Sequence, residues 1–333
     1  MGMWRISVDT LARSRFVVSP LAETLACVKT LERGTAAHPG ERAWLDAHLP
    51  AYRARLAAEP VTALVIKSAL GRRWNADYLM PTPPGMGDLT FQEELERVRE
   101  TPPEAVRAHL LMALERPLPV PLRRRHDLAE RTADLLEWVW TVTVLPDWPR
   151  RRRVFEADAV ARAVRLGRGG WADVLDDLRP GTRWLGDGRL RINVHDYPPR
   201  DISGAQLFFV PVTARTGWVT WEEPDRYALI YPCAGPLAGT ERPPVPEALG
   251  ALLGPARAGV LVLLGSPMST TQLVALTGQG LGSVGRHLKV LLDARLVLRR
   301  RSGRSVLYYR TAAGDALVEA QEGEPSGARD AFR

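Results

Sequence analysis

Two groups of side chains near the end of this sequence have the chemistry to bind a nucleic acid. The first group can hydrogen-bond to base edges in a major groove and consists of Ser283, Arg286, His287 and Lys289. The second group is cationic, can neutralise phosphates and consists of Arg299, Arg300, Arg301 and Arg304. Base contacts specify a sequence, whereas phosphate contacts position the protein. The two groups together predict a site that both reads and holds DNA.

Motifs for catalysis or metal binding are absent from the sequence. None of the six histidines has a metal-ligand spacing to a cysteine or to another histidine. There is no nucleophile elbow, phosphate loop or dinucleotide fingerprint. The pair His195-Asp196 could be half of a hydrolytic or metal-binding pair, but it has no partner motif, and a loop residue that bonds its neighbours is the simpler interpretation. We therefore expect a protein that is not an enzyme and has no metal or cofactor.

The base-reading group lies in a segment that predicts two helices joined by a glycine-containing turn. Ser269 or Thr270 can cap the first helix, and the run Thr277-Gly278-Gln279-Gly280 interrupts the helical period. The second helix has apolar residues at spacings of three and four, namely Leu281, Val284, Leu288, Leu291 and Leu292. Residues 296–310 then predict a two-stranded basic hairpin. This order of elements predicts a winged helix-turn-helix.

The run SVGRHLKVLLDARLV, followed by RRSGRSVLYYR, resembles the recognition helix and wing of ArsR-like transcriptional regulators. The segment SPLAETLACVKTL is similar to part of the large, uncharacterised N-terminal domain that some actinobacterial ArsR-like regulators carry. The resemblance implies a winged-helix fold for the end of the chain and a function in transcription.

Three features depart from the pattern of that family. The helix over 270–276 lacks the cysteine pair of the metal-sensing members, so metal sensing is not implied. Gly282 and Gly285 stand where the family often has serine or another polar residue, and each costs roughly 1 kcal/mol of helix propensity relative to alanine. Arg295 stands where a glycine usually ends the recognition helix. The expected fold tolerates these changes, but the DNA sequence that is read becomes harder to deduce.

The first 235 residues predict a mostly helical body that ends in an antiparallel sheet. Ser19 followed by Pro20 is a preferred helix start, and Gly34 ends that helix. Two later helices open with capping boxes, at Thr90 with Glu93 and at Thr101 with Glu104. Other helical patterns cover 41–58, 62–70, 127–144, a stretch from about 150 to 167, and 171–178. Short strands are predicted over 4–9, 15–19, 182–185, 190–194, 207–212, 218–222 and 227–231. The predicted fold class is therefore α+β.

The net charge of +7 is concentrated in a short part of the chain. Residues 246–310 carry nine basic and two acidic side chains, the residues after them carry two basic and five acidic ones, and the first 245 carry the remaining +3. We divide the chain into a dimerisation or effector domain over 1–235, a Pro/Gly-rich linker over 236–245, a winged helix-turn-helix domain over 246–312, and a tail over 313–333 with a disordered end. The charge therefore coincides with the predicted DNA-binding domain.

The cysteine count and the hydropathy indicate the compartment. Two cysteines in 333 residues argue against a disulfide framework and fit a reducing cytoplasm. The start of the sequence has no signal-peptide pattern, and no stretch approaches about 18 uninterrupted apolar residues. We expect a cytoplasmic protein that does not bind membranes.

Taken together, these patterns predict a transcriptional regulator, in its simplest form a dimeric repressor on a pseudo-palindromic operator in double-stranded DNA. The N-terminal body would form the homodimer, sense a small-molecule effector, or do both. Its many tryptophans favour core packing, with an apolar ligand pocket as the alternative. Two other classes stay open: an enzyme with an unrecognised active site and an appended winged helix, and a winged helix that binds proteins.

Overall fold

The computed structural model describes residues 2–36, 39–84, 89–176, 178–195, 197–213, 215–233, 245–265, 268–302 and 305–322. It is a mixed α/β structure with small sheets, and it divides into two compact units, Met1–Cys233 and Ala234–Arg333. Within the described residues, no helix combines the length and the apolar character needed to cross a membrane. All of the predicted linker except residue 245, and the last eleven residues of the predicted tail, lie outside the described residues.

Eight α-helices are described in the first unit. They are α1 (Val8–Ala12), α2 (Pro20–Arg33), α3 (Pro39–Ala58), α4 (Pro60–Ala69), α5 (Phe91–Arg99), α6 (Pro103–Leu114), α7 (Leu128–Val139) and α8 (Trp148–Leu175). The start and end predicted for α2 are confirmed: the Ser19 side chain accepts a hydrogen bond from the Ala22 N–H, and Gly34 takes the left-handed conformation at the end. Most residues of α2 are buried, since α3, α5, α7 and the strand Gln206–Val212 all pack against it.

Of the two predicted capping boxes, one forms and one does not. Thr90 and Glu93 make both reciprocal bonds at the start of α5. Thr101 does not cap α6, because its hydroxyl donates to the Arg97 carbonyl at the end of α5, and the residue at the cap is Pro102. The chain between these helices is so short that the threonine side chain bonds back to the helix before it. The second capping box was therefore a wrong prediction.

The helix predicted over 127–144 is regular only to Val139. It continues as a π turn over Trp140–Val144 and a 3₁₀ turn over Leu145–Asp147. Pro149 does not break a helix but lies in the first turn of α8, where its missing N–H costs nothing. Inside α8, Gly170 has a φ of 71° and separates two helical stretches, as the sequence pattern suggested.

The strands of the first unit form two mixed sheets, so the predicted antiparallel sheet was wrong. The strands are β1 (Met3–Arg5), β2 (Arg15–Phe16), β3 (Arg183–Trp184), β4 (Arg189–Arg191), β5 (Arg200–Asp201), β6 (Gln206–Val212), β7 (Trp218–Glu222) and β8 (Arg226–Pro232). Their orders are β3-β4-β1-β5 and β2-β6-β8-β7. β8 pairs antiparallel with β7 but parallel with β6, and β2 is parallel to β6. Apolar alternation marks a strand but carries no information on its direction, which explains the error.

The two strands nearest the start of the chain lie in different sheets, β1 in the first and β2 in the second. β1 pairs antiparallel with β4 and parallel with β5, so that Trp4 lies opposite both Leu190 and Arg200. The sequence predicted two strands around a turn here, but a helix, α1, separates them, capped by the Ser7 side chain. Trp4 is buried in a core cluster with Leu207, Phe209 and other apolar side chains of the sheets.

A fully buried ion pair joins α2 to α8. Arg151 Nη1 lies 2.5 Å from Glu23 Oε1, and neither side chain is exposed. The other Glu23 oxygen accepts the Thr213 N–H at 2.8 Å, and Arg151 Nη2 donates to the Thr143 carbonyl at 3.2 Å. These bonds satisfy charges that would otherwise be costly to bury, and they link two helices to the end of β6.

The second unit contains α9 (Glu247–Leu253), α10 (Pro255–Leu263), β9 (Met268–Ser269), α11 (Thr270–Thr277), α12 (Leu281–Asp293), β10 (Val297–Ser302), β11 (Ser305–Arg310) and α13 (Ala312–Glu322). Its sheet has the order β10-β11-β9. The sequence assigned 313–322 to a tail, whereas these residues form most of α13, which packs against α9, α10 and β11. Gly314 permits this packing, because a Cβ there would lie 2.2 Å from the Leu296 carbonyl oxygen.

Candidate nucleic-acid interface

The turn between α11 and α12 is defined by local hydrogen bonds. Ser269 caps α11, its side chain accepting the Gln272 N–H at 3.3 Å while Gln272 Oε1 accepts the Ser269 N–H at 2.6 Å. Gly278, with a φ of 70°, ends α11 in the left-handed conformation, where a side chain would be strained. α12 begins three residues later, and the two helices pack against each other. This local chemistry holds the second helix at a defined angle to the first.

One side of α12 is buried and the opposite side is open to solvent. Val284, Leu288 and Leu291 are buried against the rest of the unit, whereas Arg286 and Lys289 are exposed. The two cations are three residues apart and therefore lie about one turn apart on one face of the helix. A buried apolar face and an exposed basic face are the arrangement that the sequence predicted for this helix.

The other two residues of the predicted base-reading group lie at the flank of that face. Ser283 and His287 are half-buried, the Ser283 hydroxyl donates to Gln279 Oε1 at 3.0 Å, and it lies 3.4 Å from His287 Nε2. Burial lowers the pKa of His287, and the charges of Arg257 and Arg286 lower it further. His287 is therefore uncharged at neutral pH, and both side chains are already engaged within α12 and the turn before it.

Two glycines leave the exposed face of α12 without side chains. Gly282 and Gly285 are exposed, and a Cβ built on either one would meet nothing within 4 Å. The backbone of the helix is thus accessible beside Arg286 and Lys289. A partner surface can approach this helix more closely than it could approach a helix with ordinary side chains at these two positions.

Arg295 ends α12 in a conformation that normally belongs to glycine. Its φ is 56°, its N–H donates to the Leu292 carbonyl at 2.9 Å, and the Leu296 N–H donates to the Leu291 carbonyl at 3.0 Å. This pair of bonds is a Schellman motif. The sequence pattern indicated that the chain must turn here without a glycine, and the positive φ confirms it.

The register of the hairpin separates its arginines. Arg299 lies opposite Tyr308 and Arg300 lies opposite Leu307. Because successive side chains of a strand point to opposite faces, these two arginines lie on different sides of the hairpin. The side chain of Arg301 and the whole of Arg304 lie outside the described residues.

A concave surface joins the hairpin to α12. A cavity of about 570 Å³ is lined by Arg299 and Tyr308 of the hairpin and, from α12, by Gly285, Lys289 and Asp293 among others. Together with Arg286, this surface has three cations and one carboxylate. Arg300 is exposed on the other face of the hairpin. Arg310 forms a salt bridge with Asp315 of α13, in which Arg310 Nε lies 3.1 Å from Asp315 Oδ1. Its charge is therefore partly neutralised within the unit.

Arg286, Lys289 and Arg299 are therefore the predicted residues that the structure brings onto one surface. Tyr308 and the exposed glycines complete that surface, and the sequence did not identify them as part of it. In the sequence, the glycines indicate only a cost in helix propensity at positions where the family often has a polar residue. The position of Tyr308 follows from the strand register, which depends on the length of the turn. We found no sequence signal that would have placed Tyr308 against α12.

The described residues show no clear metal site. Nowhere in the part of the chain that is described do three or more His, Cys, Asp and Glu side chains gather as they would around a metal ion. At His195, the backbone N–H donates to Asn193 Oδ1 at 3.0 Å, and the ring lies 6.1 Å from that of Tyr197. Asp196, its neighbour in the pair noted in the sequence, lies outside the described residues.

Comparison with known proteins gives no family for this chain: no family model matches it, and neither a curated protein nor a solved structure does so. The residues of the chain itself therefore carry the functional inference.

Proposed function

We propose that the chain is a sequence-specific DNA-binding transcriptional regulator whose second unit binds duplex DNA as a winged helix-turn-helix. The observation that carries the proposal is the surface on which the exposed face of α12, with Arg286 and Lys289, continues into the hairpin at Arg299. A major groove is about as wide as one helix with its side chains. α12 would lie in the groove, and the hairpin would extend over the sugar-phosphate backbone beside it.

The geometry supports different roles for the arginines. Arg286 and Lys289 lie on the exposed face of α12 and would contact base edges, because a guanidinium or ammonium group binds the acceptors of guanine in the major groove. Arg299 and Arg300 would contact phosphates from the two sides of the hairpin. Ser283 and His287 would support α12 and the turn from its flank, because their polar atoms already bond to each other and to Gln279.

The proposal includes a homodimer. One helix reads only a few base pairs, so two copies related by a two-fold axis are needed for a site that is rare in a genome. Such a dimer binds a pseudo-palindromic operator with half-sites about one helical turn apart. We place the dimer contacts in the first unit, whose size leaves ample surface for them, and we propose repression as the regulatory outcome. Sedimentation velocity of the full chain measures the oligomeric state, and a monomer at micromolar concentration would contradict this part of the proposal.

The test of DNA binding begins with selection of duplexes from a random pool by the full chain. Fluorescence anisotropy then measures Kd for a selected duplex and for a random one over a series of salt concentrations. We expect the selected duplex to bind about 10³-fold or more tightly than the random one. Equal, weak binding of both duplexes would refute a sequence-specific regulator.

Two substitutions separate the proposed roles. Arg286→Ala should reduce the preference for the selected duplex by about 1–3 kcal/mol, whereas Arg299→Ala should weaken both duplexes alike and lower the salt slope by about one unit. Arg189→Ala, at an exposed arginine of the first unit, is the matched control and should leave both duplexes unaffected. If Arg286→Ala weakened both duplexes equally, its proposed role in reading bases would be wrong.

A further inference from the structure

The first unit contains a cleft large enough for a small molecule. Two neighbouring cavities, of about 560 and 760 Å³, share the side chains of Met112, Arg200, Trp221 and Glu223. They lie where α6, the segment after α4, β5 and β7 come together. Volumes of this size are typical of sites for small organic ligands.

Aromatic rings form much of the wall of this cleft. The ring of Trp74 lies 4.7 Å from that of Trp221 and 5.7 Å from that of Tyr197, measured between centroids. All three rings are half-buried, and Trp4 and Tyr78 also line the cleft. The faces of such rings carry partial negative charge and attract cations. A ligand in this cleft therefore meets flat apolar surfaces that favour a positive charge.

The two guanidinium groups in the cleft are already paired with carboxylates. Arg200 pairs with Glu223, and its Cζ lies 4.2 Å from the centroid of the Trp221 ring. Arg97 Nη2 lies 2.5 Å from Glu222 Oε1, and Arg226 also pairs with Glu222. These cations are neutralised within the protein, so they provide little attraction for an anionic ligand. The position of Arg200 over Trp221 also shows that a cation is accommodated against this aromatic wall.

The carboxylates of the cleft outnumber its cations. The lining residues include six carboxylates and two guanidinium groups, a formal excess of four negative charges, and the carboxylates are Asp77, Glu100, Glu115, Asp201, Glu222 and Glu223. Among the described residues, no salt bridge joins a cation to Asp77, Glu100 or Asp201. Asp77 is half-buried beside Trp74; burial raises its pKa to about 6, against the opposing effects of Trp74 and Arg200. It is therefore mostly ionised at neutral pH and carries a negative charge that is only partly solvated.

His109 adds a polar ring to the wall of the cleft. Its Nδ1 is buried and has no hydrogen-bond partner among the described residues. Burial lowers the pKa of His109, so the ring is neutral at neutral pH. It therefore does not offset the negative charge of the carboxylates in the cleft.

We propose that this cleft binds a small organic cation with a flat apolar body, such as an amidinium or a ring-bearing ammonium. The aromatic walls contact the flat body, and the carboxylates around Asp77 neutralise the charge. This binding is a property of the first unit and does not depend on the proposed function in DNA binding, because no DNA takes part in it.

The test uses three flat molecules of nearly equal size and different charge: benzamidine, which is cationic at neutral pH, neutral benzamide, and benzoate. Each is titrated into the full wild-type chain, and binding is followed by quenching of tryptophan fluorescence and by ligand-observed NMR. Benzamidine should bind about tenfold or more tightly than benzamide, and benzoate should bind most weakly. Benzoate binding at least as tightly as benzamidine, or no detectable binding of any of the three, would overturn the proposal. This comparison requires no variant and therefore does not depend on the stability of one.

Two substitutions then locate the site. Asp77→Asn and Trp74→Leu should each reduce the affinity for benzamidine to about that for benzamide. Asp187→Asn and Trp184→Leu are the matched controls, because neither residue lines the cleft, and both should bind benzamidine as the wild type does. If the controls lost as much affinity as the cleft variants, or if the cleft variants lost none, binding would lie elsewhere and the proposed site would be wrong.

Discussion

Replacing Gly285 with alanine should stabilise the second unit and at the same time weaken its binding to DNA. Gly285 lies in the interior of α12, where alanine is favoured over glycine by about 1 kcal/mol. A Cβ at this position would meet nothing within 4 Å, so no steric cost opposes the gain. In the absence of DNA, the free energy of unfolding of the second unit should therefore rise by about 1 kcal/mol.

The effect on DNA binding should have the opposite sign. Gly285 lines the cavity between α12 and the hairpin together with Lys289 and Arg299. If this surface packs against a groove, the added methyl group occupies space that a base edge or sugar would fill. Forcing an extra methyl group into a packed contact costs about 1–3 kcal/mol, which raises Kd about 5- to 150-fold.

The two effects need separate assays. All ten tryptophans lie in the first unit, the last at Trp221, so their fluorescence does not report on α12. Hydrogen exchange of peptides that cover 281–293 measures the stability of this helix, and fluorescence anisotropy with a selected duplex measures Kd. Gly250→Ala is the matched control, because Gly250 lies inside α9 and a Cβ there also meets nothing within 4 Å. It should slow exchange in α9 and leave Kd unchanged.

One result would refute this reasoning. If Gly285→Ala slowed exchange in α12 but bound the selected duplex as tightly as the wild type, the glycine-bearing face of α12 would not lie against DNA. The proposed docking of the helix in the groove would then be wrong, even if the protein bound DNA through other residues.

Three further predictions concern stability. Arg295→Gly should stabilise the second unit by about 0.5–1 kcal/mol. The left-handed conformation costs an ordinary residue about 1–2 kcal/mol, and the greater entropy of glycine in the unfolded chain offsets only part of that gain. Faster amide hydrogen exchange in α12 of the variant would contradict this prediction. Burial raises the pKa of Glu94 to about 7, so this carboxyl group holds its proton more tightly in the folded protein than in the unfolded chain. The contribution of Glu94 to the free energy of unfolding therefore falls as pH rises from about 4.5 to about 7. Glu94→Gln removes this loss and keeps an acceptor for the Leu21 N–H, which donates to Glu94 at 2.7 Å in the wild type. The urea midpoint of this variant, followed by tryptophan fluorescence, should rise relative to that of the wild type as pH rises. An equal difference between the two midpoints at about pH 5 and about pH 8 would exclude this linkage. Arg151→Met should cost about 3–5 kcal/mol because it leaves the Glu23 carboxylate buried and unpaired, and Glu23→Gln added to it should restore part of that loss; a double variant as unstable as the single one would show that the buried charge is not the cause.

Features that depend on neighbouring residues were predictable from the sequence. The cap at Ser19, the capping box of Thr90 and Glu93, and the cap at Ser269 all involve side chains and backbone groups within three residues of each other. The turn at Arg295 was expected from the family pattern, in which a glycine usually ends that helix. In each case, the physical cause lies within one turn of the helix.

Features that depend on distant partners were not predictable. Strand β5 is two residues long and exists because it pairs with β1, almost two hundred residues earlier in the chain. Most apolar residues of helix α13 are alanines, only Leu317 and Val318 being larger, and its packing depends on Gly314 fitting against the Leu296 carbonyl. The Thr101 side chain could bond either to the end of α5 or to the start of α6. The short connection between these helices favours the bond to the Arg97 carbonyl of α5.

The candidate site follows the same division. The periodicity of α12 identified its exposed cations, Arg286 and Lys289, because a helix repeats every 3.6 residues whatever surrounds it. Arg299 and Arg300 lie on different faces of the hairpin because of its register. Their charge alone, by which the sequence groups them, does not separate them. The cleft of the first unit combines Trp74, Arg200 and Trp221 from three distant segments, so no spacing in the sequence could reveal it.

The pairing of β1 and β2 with strands late in the first unit determines when this unit can fold during synthesis. Phe16 pairs with Phe209 and Met3 pairs with Arg191, so β1 and β2 leave the ribosome well before their partners are made. At about 5–20 residues per second, that delay is roughly 10 to 40 s. During this time, the apolar side chains of β1 and β2 have no sheet to join. The first unit therefore cannot fold progressively from its beginning, and its two sheets close only when synthesis of the unit is almost complete.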